Sequence, residues 1–214
     1  MKILVTAGPT REPIDPVRFI SNRSSGKMGY EIARVAAARG HHVILVSGPV
    51  SIEPPAVAEL VRVQTAREMC DTVRARFPSC DAIIMVAAVA DWRPRSTSAQ
   101  KLKKAGMPAV LELEPTPDIL EQIRPIKGDR LVIGFAAETE RVLEEGLRKL
   151  HSKGLDGIVA NDVSGTEWGM DSDFNKVILL GRDGFRRELP KLTKAEAAEH
   201  ILDWLPSCRA TRPA

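Results

Sequence analysis

Ser21-Asn22-Arg23-Ser24-Ser25-Gly26-Lys27-Met28-Gly29 is a hydroxyl- and glycine-rich turn that opens directly onto an amphipathic helix. The apolar run Ile3-Leu4-Val5 precedes it, and Ile32, Val35 and Ala36 follow at helical spacing. The strand, loop and helix order needed to capture an anion is therefore present, because helix N-termini present unpaired N–H groups and a positive dipole end. A long segment from Ala7 to Phe19 separates strand from turn, and this insertion distinguishes the stretch from an ordinary dinucleotide fingerprint.

Working outward, short apolar strands alternate with helical patterns: Lys2 to Thr6, helix Lys27 to Arg39, His42 to Ser47, helix Ala66 to Phe77, then Ala82 to Val86. The alternation predicts an α/β fold, a Rossmann-like, mainly parallel sheet with helices on both faces. Gly40 suits a helix C-cap, and Thr65 with Glu68 spells a capping box. Residues 91–108, polar and proline-interrupted, are expected to form a flap, since structureless loops of that length are uncommon unless functional. Beyond it the pattern predicts a strand at Val110 to Glu114 and a short helix at Pro117 to Ile123, with Thr116 as cap and Pro117 at its first position. Further elements are a strand at Leu131 to Gly134, a helix from Arg141 to Ser152 and a strand at Gly157 to Ala160. Lys176 to Leu180 and Phe185 to Leu189 flank Asp183-Gly184 as a C-terminal β-hairpin, and Thr193 with Glu196 caps a closing helix to Leu205. A single domain over residues 1–208 and a loose tail over 209–214 are expected.

Composition narrows the function classes. The balance of 31 Lys+Arg against 28 Asp+Glu is only mildly basic and dispersed, a poor footprint for nucleic acid. Cys70, Cys80 and Cys208 are odd in number and lack metal-ligand spacing, which argues against a disulfide framework or zinc site. The start of the chain carries no signal-peptide pattern, and no apolar run approaches the roughly 18 residues that span a bilayer. A cytoplasmic protein that uses no membrane is expected.

Several residues can carry chemistry, each with a plain structural reading beside it. Gly26 and Gly29 would let a ligand approach the backbone and Ser24 and Ser25 would add hydroxyl donors; equally, the glycines would serve tight packing of a capped helix. Asn22 can donate to a carboxylate while accepting from an amine, or simply close an Asx-turn. Ala87 and Ala88 leave room at a strand's carboxyl end, where open α/β sheets bind ligands, and Asp91 beside them is either a ligand for a sugar hydroxyl or metal or a solvated cap. Lys101, Lys103 and Lys104 fall in the flap. Lys149 and Lys153 share one helix face and can meet a polyphosphate, although a favourable dipole interaction is sufficient reason for both. Trp92 and Phe135 either stack on a base or fill the core. The histidines offer no ligand pair.

Taken in order, the blocks Thr6-Ala7-Gly8-Pro9-Thr10-Arg11-Glu12-Pro13-Ile14-Asp15-Pro16-Val17-Arg18-Phe19-Ile20-Ser21-Asn22, Ser24-Ser25-Gly26-Lys27-Met28-Gly29, Ala87-Ala88-Val89-Ala90-Asp91, Lys101-Leu102-Lys103-Lys104, Pro117-Asp118-Ile119, Gly134-Phe135-Ala136-Ala137-Glu138-Thr139 and Ala160-Asn161-Asp162 are spread over most of the chain. In these it resembles the phosphopantothenate–cysteine ligases (phosphopantothenoylcysteine synthetases) of coenzyme A biosynthesis. The resemblance implies activation of the 4'-phosphopantothenate carboxylate by CTP, with Mg²⁺ neutralising the triphosphate, and amide formation with L-cysteine. Carried over by position, it implies Gly8, Ser24, Gly26, Gly29, Ala87, Ala88 and Asn161 for the acyl substrate. Asp91, Lys101, Pro117, Asp118, Ile119, Leu120, Phe135, Lys149 and Lys153 would form the nucleotide site. Asn22 and Lys101 would be catalytic, Lys101 in forming the acyl-cytidylate and Asn22 in the step with cysteine. No metal ligand is assigned. A homodimer is implied, and, because the ligase pattern begins at Met1, no flavin is expected.

Two other readings compete. An NAD(P)-type oxidoreductase would need a compact glycine fingerprint after the first strand and a catalytic Tyr; here Gly8 and Gly26 lie far apart and Tyr30 is the sole tyrosine. A catalytically decayed nucleotide-binding module would have no packing reason to keep Asn22 and Lys101 together.

Overall fold

The computed structural model describes residues 1–103, 110–165, 167–169, 172–205 and 207–210. β1 (Lys2–Ala7) leads into an insertion that carries a small antiparallel hairpin, β2 (Arg11–Pro13) and β3 (Phe19–Ser21), before α1 (Lys27–Ala38). β4 (His42–Ser47), β5 (Glu59–Arg62), α2 (Ala66–Arg76) and β6 (Ala82–Met85) follow. A second hairpin, β7 (Trp92–Pro94) with β8 (Leu113–Pro115), precedes α3 (Ile119–Ile123). The chain then forms β9 (Leu131–Glu138), α4 (Val142–Ser152), β10 (Gly157–Asp162), β11 (Phe174–Gly181) and β12 (Arg186–Glu188). It closes with β13 (Leu192–Thr193), α5 (Lys194–Trp204) and α6 (Ser207–Ala210).

The main sheet runs β12-β11-β10-β9-β6-β1-β4-β5, parallel from β10 to β5 and antiparallel at β11 and β12. Counted in chain order, its parallel part is the Rossmann-like arrangement, with the order reversing between β1 and β6. Period-two alternation explains the two faces. Ile3, Val5, Val43 and Leu45 pack beneath α1 and α5 with Ile32, Ala36, Ile201 and Trp204. Leu4, Ile44, Val46 and Ile83 point to the opposite face, beneath α2, α3 and α4 with Met69, Val73, Ile123 and Leu150. Strands buried on both faces read as unbroken apolar runs, as these do.

Local signals explain most element ends. Gly40 takes φ +80°, and Gly40 N donates to Ala37 O and His41 N to Ala36 O, the double bond of a Schellman stop. The β11–β12 hairpin turns where expected, with Gly184 at φ +88°. Thr193 and Glu196 close a full capping box, whereas Thr65 caps α2 and Glu68 reaches back to Gln64 N instead.

Three expectations are corrected. The cap of α3 is Asp118, whose Oδ1 accepts from Glu121 N at 3.2 Å, so the helix starts two residues after Pro117; the Thr116 hydroxyl is taken by Ala90 O. The strand after the flap is Leu113–Pro115, set by its pairing with β7 and not by its own apolar pattern. The start of the expected tail continues as α6. Lys104 and the end of the expected flap lie outside the described residues.

Candidate active site

A cleft of about 850 Å³ opens along the carboxyl edge of the sheet, where β1, β6, β9 and β10 end. That is within the range of small-molecule sites and at the position where the strand order reverses. Its floor is the junction between the loops after β1 and β6, stitched by buried hydroxyls. Thr6 Oγ1 accepts from Val86 N and Ala87 N, both at 3.1 Å, and Thr10 Oγ1 accepts from Ala90 N at 3.0 Å. Ala88 N donates to Gly8 O at 2.9 Å. Asn22 reaches over this junction, and its Nδ2 donates to Ala88 O at 3.2 Å and Val89 O at 3.1 Å. With its amide hydrogens so engaged, Asn22 presents Oδ1 as an acceptor, the second of the two roles its amide offers, while its donor capacity goes to the Ala88–Val89 backbone.

At one end of the cleft lies the N-terminus of α1. Its cap, Gly26, has no side chain to satisfy the first-turn N–H groups, and no acidic residue occupies that turn. Gly8 and Gly26 sit at φ +74° and +79°, and a Cβ on either would come within 2.8 Å of Val50 Cγ1 or closer. Gly29 serves packing: a Cβ there would meet Ala7 Cβ at 2.6 Å, so the glycine lets α1 lie directly on β1. Ser24 and Ser25 border the same end, as do Asn161, Asn175 and Lys194.

The other end is ionic. Lys153 Nζ donates to Asp118 Oδ2 at 2.6 Å and lies 3.5 Å from Glu121 Oε1, while Lys149 Nζ donates to Glu138 Oε1 at 2.7 Å. Burial raises the Asp118 pKa, but the Lys153 ammonium and the α3 N–H groups outweigh it and hold the carboxyl below the ordinary range. Pro117 and Leu120 are half-buried beside these charges, whereas Ile119 is a core residue that offers the cleft little beyond its backbone. Phe135 is half-buried, and Trp92 is 53% exposed at the rim. Asp91 and Arg148 also face the cleft.

The fold thus gathers Gly8, Asn22, Ser24, Gly26, Gly29, Ala87, Ala88, Asp91, Pro117, Asp118, Ile119, Leu120, Phe135, Lys149, Lys153 and Asn161 along one cleft. Lys101 is not among its lining residues; it is exposed on the loop that leaves β7. The cause is a tether: Leu102 N donates to Asp15 Oδ2 at 3.1 Å, and Arg18 Nη2 to Leu102 O at 2.7 Å. Asp15, its pKa driven far down by the Arg18 guanidinium, is an anion that holds insertion and flap together. Thr97 Oγ1 to Pro13 O and Ser98 N to Ile14 O extend the same seam. The buried Glu12 likewise serves structure, with Oε1 accepting from Ala66 N at the start of α2.

Asn175, Lys194 and Arg148 escaped the sequence reading. Asn175 stands alone on a hairpin strand, and Lys194 follows a cap residue like any surface lysine; neither has a local pattern that separates it from its neighbours. The three cysteines are buried, and burial raises the pKa of each, Cys208 to about 12, which leaves them inert as nucleophiles. Among the described residues no group of three His, Cys, Asp or Glu could hold a metal ion, and no helix is long and apolar enough to cross a membrane.

The model of the DNA/pantothenate metabolism flavoprotein C-terminal domain family matches residues 1–208. The coenzyme A biosynthesis bifunctional protein CoaBC of Bacillus subtilis (strain 168) is 44% identical over 201 residues, covering 94% of this chain and 50% of that protein. The chain spans about half the length of the curated relatives it matches. Among solved structures, the C-terminal domain of a coenzyme A biosynthesis bifunctional protein CoaBC is similar at TM-score 0.84 and 44% identity, covering 99% of this chain and 96% of that one. The DNA/pantothenate metabolism flavoprotein from Streptococcus pneumoniae shares the fold at TM-score 0.82 and 24% identity, with 97% and 99% covered. With its Rossmann-like sheet, its cleft at the reversal of strand order and a match over nearly its whole length, the chain belongs to the DNA/pantothenate metabolism flavoprotein C-terminal domain family.

Proposed function

We propose that the protein is a phosphopantothenate–cysteine ligase that activates 4'-phosphopantothenate with CTP and joins it to L-cysteine. The observation that carries this reading is the convergence of the motif residues on one cleft that has an anion-binding helix start at one end and paired lysines at the other. A carboxylate oxygen of the substrate attacks the α-phosphorus of CTP, the bond to pyrophosphate breaks, and an acyl-cytidylate forms. The neutral amine of cysteine then attacks the acyl carbon, its C–O bond breaks, CMP leaves and the nitrogen gives up a proton.

Each end of the cleft suits one part of that reaction. The start of α1, whose Gly26 cap offers no side-chain acceptor, would hold the substrate phosphate with Ser24, because the N-terminal end of a helix and its dipole favour an anion. Ala87 and Ala88, which lack bulk, would let the acyl group cross the junction. Asn22, fixed through Nδ2, would accept from the cysteine amine with Oδ1 and orient its lone pair. Lys149 and Lys153 would exchange Glu138 and Asp118 for triphosphate oxygens. Lys101 would stabilise the α-phosphate as it gains charge, which requires the seam at Asp15 and Leu102 to open or the flap to serve a second subunit's cleft.

Magnesium fits this donor set in one way: the ion takes few protein ligands beside substrate phosphates, and Asp91 is exposed in the cleft to supply a carboxylate. When bound it would neutralise triphosphate charge. A homodimer is supported by exposed apolar side chains on or beside the two hairpins, Val17, Phe19, Trp92, Leu111 and Leu113. Against an oxidoreductase, the sole tyrosine, Tyr30, is buried and its hydroxyl is bonded to Ser47 Oγ at 3.0 Å.

The deciding assay supplies the purified chain with phosphopantothenate, cysteine and either CTP or ATP and follows pyrophosphate with CMP or AMP. Turnover with CTP and not ATP supports the reading; release of neither nucleotide monophosphate overturns it.

A further inference from the structure

Lys27 stands where two cavities meet. It is the first residue of α1 and lines the cleft beside Ser24 and Gly26, yet it also lines a second cavity of about 430 Å³ bounded by α1, the loop after β4 and the start of α5. Its ammonium is paired on that second side. Lys27 Nζ donates to Asp173 Oδ1 at 2.5 Å, and Asp173 lines the second cavity but not the cleft. The reaction as set out above gives this pair no part.

The surroundings of Asp173 make this a pair that can be traded. Its backbone is fixed independently of Lys27, because Lys194 N donates to Asp173 O at 3.0 Å where β13 pairs with β11, so the carboxylate keeps its place when the ammonium leaves. Its side chain is 76% exposed, and water therefore replaces the lost partner at small cost. The Asp173 carboxyl, held below the ordinary range by Lys27 first and also by the charge of Lys194, keeps a second cation nearby. Lysine suits such a move, since its charge rides on a flexible stem that needs only rotamer changes to swing from one side of a wall to the other. A phosphate seated at the start of α1 competes on favourable terms. A terminal phosphate offers several oxygens and about two negative charges, against the single charge of Asp173.

We propose that Lys27 is a phosphate-binding residue of the cleft for which Asp173 is the internal competitor: a phosphate group that seats on the backbone at the start of α1 draws the ammonium across the wall, and Asp173 takes it back when the group departs. The pair thereby sets how tightly the cleft holds that group and how readily it lets go. This deepens the ligase reading and rests on it only for a ligand that carries phosphate. The phosphates of the nucleotide and the terminal phosphate of the acyl substrate share that chemistry, and the arms of the experiment separate them.

The test is a double-mutant cycle in the full chain, Lys27→Met, Asp173→Asn and both together, read as calorimetric dissociation constants for CTP, phosphopantothenate and inorganic pyrophosphate. Lys27→Met should weaken one phosphate ligand about tenfold, the scale of a hydrogen bond between charged groups. Asp173→Asn should tighten the same ligand about two- to fivefold, the worth of the exposed pair it removes. In the Lys27→Met background Asp173→Asn should have no further effect, whereas a carboxylate acting only through the general field would still act. A purely structural pair gives the contrary pattern, since either variant breaks the same bond and both would weaken binding alike. Response of CTP and pyrophosphate together puts the phosphates of the nucleotide at Lys27; response of phosphopantothenate alone puts the acyl phosphate there. Weakening by both variants, no change for any ligand, or a full Asp173→Asn effect without Lys27 overturns the proposal. Melting midpoints within about 3 °C of the original check that each variant is folded. Because binding is read and not turnover, a chain that binds pyrophosphate in the expected pattern but releases no CMP upholds the exchange and counts only against the ligase reading.

Discussion

The two ends of the cleft meet anions by different physics. Around α1 the site is made of backbone N–H groups, glycines and hydroxyls, already shaped and with no acidic residue within the first helical turn, although Lys27 there pairs outward with Asp173. Around α3 and α4 it is made of lysines already bound to carboxylates, Lys153 to Asp118 and Lys149 to Glu138. The first end is preorganised for a group that need only enter. The second must trade one set of ion pairs for another, which lowers the net gain from each lysine and suits a nucleotide that binds and leaves in every cycle. Lys101 belongs to neither end while Asp15 and Arg18 hold the flap.

The largest effect that would sharpen this contrast is expected from Lys101→Ala. Pyrophosphate release from CTP should fall by about 10²–10³-fold, the scale for removing one transition-state donor, with an unchanged melting curve. Release near the original rate would leave the tethered position as the whole role of this loop. Asn22→Ala should come next: pyrophosphate still appears, while formation of the cysteine adduct drops about 10²-fold in single-turnover experiments. Equal loss in both half-reactions would show instead that Asn22 merely holds the Ala88–Val89 loop.

Gly26→Ala probes the preformed end. A Cβ at φ +79°, 2.7 Å from Val50 Cγ1, should cost about 1–3 kcal/mol of stability and raise the KM for phosphopantothenate more than that for CTP. A larger change for CTP would break the division between the ends. The smallest effect belongs to Asp118→Asn. Since the Asp118 pKa is lowered in the folded protein, its pairing with Lys153 is complete above the ordinary carboxylate range and is lost as pH falls through the folded pKa. The melting temperatures of original and variant should therefore differ slightly at neutral pH and converge below about pH 4. At pH 7 the freed Lys153 should leave the KM for CTP unchanged or lower.

Much of this architecture was legible in the chain. Unbroken apolar runs identified strands buried on both faces, helical spacing located α1, α2, α4 and α5, and Gly40, Asp183-Gly184 and Thr193 with Glu196 marked their boundaries because capping and turn chemistry act within a few residues. What escaped were elements too short to carry a period. β2, β3 and β7 hold three residues each and exist through their partners, and Asp118 displaced Thr116 as the α3 cap because the Thr116 hydroxyl was drawn to Ala90 O.

The same division runs through the site. The chain by itself determined the alternating fold, the glycine-rich start of α1 and the motif residues that fall at strand ends, since each depends on neighbours in sequence. Tertiary structure alone decided that Lys101 is held outside the cleft by Asp15 and Arg18, that Asn22 offers its oxygen, and that Lys194 is buried behind Asn175 and Asn161. Those outcomes turn on which donor meets which acceptor across paired strands and packed loops, and sequence separation carries no record of that until the sheet has closed.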